Sequence, residues 1–203
     1  MTTDKYASFY DEAPTFSAAI AALEDKECPE KVVADILSFK ILPTDDGTIG
    51  DRLTKYNYLL PAGIQNRVLS ADALDQILNV HIKMIDEDTE SALEGSGPFG
   101  ALETAECFES TFDGLLEQVN LSSETIGKFA DTVDKLSKAI SDLRDSGSAS
   151  EEQLDFEHYF ENFAPTFEAL AAHPNATKSQ KDKCLEISEL MKSKATEASR
   201  DYI

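Results

Sequence analysis

ALETAECFESTFDGLLEQVNLSSETIGKFADTVDKLSKAISDL, residues 101–143, is the stretch whose reading decides the fold. Its first half places Leu102, Ala105, Phe108, Phe112, Leu115 and Val119 at steps of three and four. Its second half repeats the rhythm with Ile126, Phe129, Val133, Leu136, Ile140 and Leu143. Such spacing puts each set on one stripe of an α-helix. Between the halves, Ser122 or Ser123 can cap a helix whose first turn holds Glu124. So short a connection predicts an antiparallel hairpin. Folding the chain back about residues 120–121 sets Phe112 against Phe129, Leu115 against Ile126, Phe108 against Val133 and Ala105 against Leu136. Every layer is then apolar on both sides.

Working outward, the neighbouring segments also read as helices. Tyr6, Phe9 and Tyr10 fit a short aromatic-faced helix. Pro14 suits the first turn of the next, with Phe16, Ala19, Ile20 and Leu23 on one side. Cys28-Pro29-Glu30 opens a third, striped by Val32, Val33, Ile36 and Leu37, and Thr44–Gly50 reads as a surface loop. Asp51–Leu60 is expected to be helical and to stop at Pro61. Ser70 caps a helix running to residue 93. Leu74, Ile77, Leu78, Val80, Ile82, Met84 and Ile85 occupy nearly every side of it, which predicts burial all round and a central place in the fold. Beyond the hairpin, 145–150 reads as a flexible linker. Ser150 with Gln153 and Thr177 with Gln180 form capping-box patterns. The first opens a helix kinked at Pro165, and the second opens one lined by Cys184, Ile187, Met191, Ala195, Ala198 and Tyr202. Ala13-Pro14-Thr15-Phe16 and Ala164-Pro165-Thr166-Phe167 echo each other, as a shared way to start a helix or a decayed duplication would.

The fold predicted is therefore all-α: antiparallel helical hairpins packed as an irregular bundle of seven to nine helices. Residues 1–144 form a bundle domain with central helix 70–93 and hairpin 101–143. Residues 151–203 form a C-terminal helical pair packed on the same domain. A chain of 203 residues, 41% hydrophobic and 28% charged, can bury roughly 70% of its unfolded surface in one core. No apolar run approaches the ~20 residues of a membrane span, and no secretory signal stands at the start. Cys28, Cys107 and Cys184 have the spacing of neither a disulfide framework nor a metal site. These features lead us to expect an intracellular, cytoplasmic protein with free thiols, in which the sequons at Asn120 and Asn175 go unused.

The functional signal is electrostatic. The net charge is −21, from 39 acidic and 18 basic residues, which disfavours nucleic acid and anionic membranes and favours basic partners. Residues 84–127 contain eleven acids and no lysine or arginine. Asp86, Glu87, Asp88, Glu90 and Glu94 crowd the C-terminal turns of helix 70–93, where the helix dipole makes acids unfavourable. Glu103, Glu106, Glu109, Asp113 and Glu117 follow at steps of three, three, four and four, forming a ridge whose like charges cost a few tenths of a kcal/mol per pair. By contrast, Asp131 and Asp134 stand four residues before Lys135 and Lys138, the favoured orientation. These ten acids predict a non-enzymatic interaction module, such as an adaptor, chaperone, inhibitor or assembly subunit, that docks a protein with a basic surface. A solvated face in a protein acidic everywhere is the plain alternative.

Two other readings compete. Phe156, Phe160, Phe163 and Phe167 could line a pocket for an apolar ligand or lipid, although aromatics at that spacing are more often core. DNA mimicry, with carboxylates standing in for phosphates, is a narrower form of the docking reading. No cofactor or metal is expected. Asp155, His158 and Glu161 share a helical face, but a carboxylate-bridged centre needs a second such motif. His81 reads as a core histidine and His173 as a cap. No nucleophile motif or phosphate loop is present.

Overall fold

The computed structural model describes residues 5–44, 52–65, 67–95, 98–106, 112–146 and 156–200, and the backbone alone at 52–57, 98, 99 and 113. Among them are ten helices, eight of seven residues or more, and no strand. They are α1 (Ser8–Asp11), α2 (Phe16–Glu24), α3 (Glu30–Leu37), α4 (Arg52–Ile64), α5 (Ala71–Leu93), α6 (Pro98–Glu106), α7 (Asp113–Leu116), α8 (Ser123–Asp145), α9 (Phe156–Ala172) and α10 (Lys178–Arg200). The helix pairs pack as a bundle, as the periodicity predicted.

Local chemistry sets most of the helix starts. Thr15, Ser70 and Ser122 each accept from the backbone N–H three residues on, capping α2, α5 and α8. At α10 the capping box closes in both directions: Thr177 N–H donates to Gln180 Oε1 at 2.8 Å, and Gln180 N–H donates to Thr177 Oγ1 at 3.3 Å. Pro14 stands one residue before the α2 cap rather than in its first turn. α4 continues through Pro61 to Ile64, with Gln65 N–H donating to the Pro61 carbonyl at 2.9 Å. A proline removes one donor from a helix but leaves its own carbonyl to serve the next turn.

Cross-helix contacts fix the directions. The Thr125 hydroxyl donates to Asp75, and Lys135 meets Asp86 at 3.4 Å, so α8 runs parallel to α5. Gln180 meets Ser123, Lys183 meets Asp131 at 2.7 Å and Lys194 meets Ser141, so α10 runs parallel to α8. α3 is parallel to α5, through Glu30 to Ser70 and Leu37 to His81. The returning helices make the hairpins. Thr104 meets Asp88 across α5 and α6, and Glu168 meets Lys192 across α9 and α10. The salt bridges also correct an expectation: Asp131 pairs with Lys183 and Lys135 with Asp86, and only Asp134–Lys138 (2.8 Å) is the intrahelical pair read from spacing.

The decisive hairpin is half as predicted. Phe112 meets Phe129 with ring centroids 5.2 Å apart, and Ala105, Leu115, Ile126, Val133 and Leu136 are buried. Its first arm, however, is not one helix to Val119. α6 ends at Glu106, α7 ends at Leu116, and Val119 is 58% exposed; Phe108 lies outside the described residues. The chain leaves the helix because Gln118 is wanted elsewhere. Its Oε1 accepts from Leu69 N–H at 2.9 Å and its Nε2 donates to the Arg67 carbonyl at 3.0 Å.

That glutamine belongs to a polar junction joining the starts of α5, α8 and α10. Asn120 Nδ2 donates to the Leu69 carbonyl at 2.8 Å, and Asn175 Nδ2 donates to the carbonyls of Val119 (3.0 Å) and Leu121 (2.8 Å). His173 Nε2–H donates to the Gln118 carbonyl at 3.0 Å while its Nδ1 accepts from Asn175 N–H at 3.2 Å, which defines the tautomer.

α5 is not buried all round. Ala73, Leu74, Ile77, Leu78, His81 and Ile85 face the core, but Val80, Ile82 and Met84 are only half-buried and Asn79, Lys83, Glu87 and Glu90 face outward. His81 is the satisfied core histidine expected, its Nε2–H donating to the Leu37 carbonyl at 3.2 Å. The tetrapeptide echo is not a shared helix start: Thr15 caps α2, whereas Pro165 and Thr166 lie inside α9. Of the linker, α8 extends through Asp145; residues 147–155, with the Ser150–Gln153 box, and Tyr202 lie outside the described residues.

Candidate functional site

Because α5, α8 and α10 are parallel, their C-termini share one end of the bundle. Three dipoles therefore place their negative ends together. α8 and α10 answer with a base in the last turn, Arg144 and Arg200. All three ends carry acids, Asp142 and Asp145 on α8, Glu197 on α10 and Glu90 on α5, but α5 has no base among them.

The α5–α6 hairpin collects Asp86, Glu87, Asp88, Glu90, Glu94, Glu103 and Glu106. Lys135, arriving from α8, meets Asp86 at 3.4 Å. Lys83 lies 3.5 Å from Glu87, but both side chains are more than half exposed, so solvent and salt screen the pair. Asp88 accepts from the Thr104 hydroxyl at 2.6 Å and Glu106 from the Tyr159 hydroxyl at 3.3 Å. Both contacts position a carboxylate without cancelling its charge. Glu90, Glu94 and Glu103 are exposed, and neither Glu90 nor Glu94 meets a lysine or arginine among the described residues. The turn that follows is made by Gly95, whose φ of +70° suits glycine.

Glu109 and the Asp113 side chain lie outside the described residues. Glu117 stands apart, on a cleft of about 610 Å³ beside Arg67, Val68 and Gln118. Arg67 is committed to the fold: its guanidinium donates to the carbonyls of Leu23 and Asp25, each at 2.9 Å.

The aromatic face of α9 is in the core. Phe156, Phe160, Phe163 and Phe167 are 1% exposed or less. The open groove of about 420 Å³ on the outer side of α9 and α10 is lined instead by Glu157, Glu161, Ala164, Lys192 and their neighbours. Lys192 beside Glu168 holds that carboxyl below its ordinary range, and burial pushes the Cys184 thiol up. His158 faces Asn162 at 3.4 Å, and Asp155 lies outside the described residues. Among the described residues no three His, Cys, Asp or Glu are arranged to hold a metal ion, and no helix is long and apolar enough to cross a membrane.

Fold and site together define an all-α bundle of helical hairpins with an acid-rich end. No protein-family model, curated protein or solved structure matches this chain.

Proposed function

We propose that this chain is a non-catalytic protein-interaction module that docks a basic surface of a partner protein through the acidic end of the α5–α6 hairpin. One observation carries the reading. Of three parallel helices ending together, α5 alone has no base in its last turn, and it ends on exposed acids at Glu90 and Glu94. Each acid so placed costs about 0.3–1 kcal/mol. The like-charged steps Asp86–Glu90 and Glu90–Glu94 add about 0.2–0.5 kcal/mol each. Folding gains nothing from this arrangement, whereas a cationic partner would be steered toward it and held.

The test is affinity capture from the native source with elution by rising salt, using wild-type chain and Glu90→Lys/Glu94→Lys/Glu103→Lys as bait. Wild type should retain a basic protein that salt releases, and the reversed variant should lose it. Equal capture by both would overturn the proposal. Duplex DNA added as competitor separates the mimicry form, since only a DNA-binding partner would be displaced by it. The apolar-ligand reading draws no support from α9, whose four phenylalanines fill the core.

A further inference from the structure

α1 is too short to hold itself. It has four residues, far below the length at which a helix persists alone. Residues 5–12 are fastened instead by two side-chain locks built to one plan. In the inner lock, Tyr6 Oη donates to Asp25 Oδ2 at 2.6 Å, Lys5 Nζ reaches the same oxygen at 2.7 Å, and that ammonium lies 5.1 Å from the Tyr6 ring centroid. In the outer lock, four residues on, Tyr10 Oη donates to Asp35 Oδ2 at 2.8 Å, Lys31 Nζ reaches that oxygen at 2.7 Å, and it lies 4.5 Å from the Tyr10 ring centroid.

The two locks differ in access. Tyr6 is 5% exposed and Tyr10 is 48% exposed, whereas the Asp25 side chain is 27% exposed and that of Asp35 5%, so each lock has one partner open to water. The inner ring packs on Phe9 at 5.6 Å, and the buried Cys28 thiol lies within electrostatic range of its phenol. Immediately after this segment the chain is anchored. Thr44 N–H donates to the Pro14 carbonyl at 2.8 Å, and Phe16 N–H donates to the Thr44 carbonyl at 3.0 Å. An opening of residues 5–12 therefore stops at Pro14 and leaves α2 in place. Asp35 also joins the strap to α5, because Gln76 Nε2 donates to its other oxygen at 3.0 Å.

We infer that residues 5–12 are a hinged strap that opens at its two locks while the bundle stays folded, and uncovers the apolar surface beneath Tyr6 and Phe9, where Cys28 lies. The strap is a conformational switch on the α2–α3 side of the molecule. Its control points are the Tyr6 and Tyr10 hydroxyls, each bonded to one carboxylate. The covered patch becomes available only when both phenols have left their carboxylates.

The test uses the full chain with Cys107→Ser, so that Cys28 reports the strap and Cys184, 1% exposed inside the α9–α10 side, reports the bundle. Labelling by a thiol-reactive disulfide is followed with time, together with amide hydrogen exchange over residues 5–12. Tyr10→Phe should speed Cys28 labelling at least about tenfold, through the loss of the hydrogen bond to a charged acceptor and of the one accepted from Lys31. Tyr6→Phe/Tyr10→Phe should speed it further, and Cys184 should keep its wild-type rate in both. An unchanged Cys28 rate in the double variant would overturn the strap. So would Cys28 and Cys184 accelerating together in Tyr10→Phe, because that would be general unfolding.

Discussion

Where α5, α8 and α10 begin, the side chains of Gln118, Asn120, His173 and Asn175 answer backbone groups from three separate loops. Where the same helices end, exposed carboxylates of α5 and α6 stand in rows, with Lys83 paired to Glu87 and Lys135 to Asp86. The first end is built from neutral groups that satisfy one another and pays for order in the chain. The second is built from charges left facing water. A fold spends its short-range, direction-dependent bonds where loops must be pinned, and it can carry like charge where solvent screens it. The difference separates what holds this molecule together from what it turns toward solvent.

Breaking the junction should have the largest effect. Gln118→Leu removes the donor and the acceptor that serve Leu69 N–H and the Arg67 carbonyl, in a place that is nearly buried. Urea denaturation should show a loss of about 3 kcal/mol, as expected when buried backbone groups lose their partners.

Asp35 sharpens the comparison from another side, as a buried carboxylate that is fully paired. Burial alone would raise its carboxyl, but hydrogen bonds from Lys31, Tyr10 and Gln76 together hold it below the ordinary range. A group depressed in the folded state contributes stability that is complete above the unfolded-state value, about 4, and is lost as pH falls through the lower folded value. Wild type should therefore lose stability on acidification below about pH 4 more steeply than Asp35→Asn, which at pH 7 should already be about 2 kcal/mol less stable. Parallel slopes in denaturation curves taken across that window would remove Asp35 from the account.

The acidic end should show the smallest effect on folding. Glu90→Gln/Glu94→Gln should shift stability by only a few tenths of a kcal/mol, upward, because it relieves like-charge steps and an unfavourable dipole contact. A clear loss in the same denaturation assay would mean these carboxylates have a structural use.

Much of the architecture was legible because helices announce themselves by period. The stripe from Ile126 to Ile140, the caps Ser70 and Ser122, and the box of Thr177 with Gln180 all depend on neighbours within a turn or so. What stayed hidden depends on residues far apart in the chain. Val119 fits the apolar stripe by spacing, yet it faces solvent because Gln118 is drawn to residues 67 and 69. Pro61 reads as a stop, yet α4 passes through it. Asp131 reads as a partner for Lys135, yet α10 brings Lys183 closer. Of the site, the seven acids of the α5–α6 hairpin were visible as a lysine-free run. Their company of parallel helix ends was not, since direction is a tertiary property. The junction left a trace in the amides beside two helix breaks, Asn120 and Asn175, noticed in the sequence only as sequons expected to go unused.

The claim that the acidic end serves attachment rather than folding is tested most directly by the affinity of the captured basic partner for wild type and for Glu90→Lys/Glu94→Lys/Glu103→Lys at low salt, with the thermal midpoint of each measured alongside. The account predicts at least about a hundredfold weaker binding, roughly 2.7 kcal/mol, with an unchanged or slightly higher midpoint. Equal affinity, or a collapse of the midpoint in the reversed variant, would contradict it.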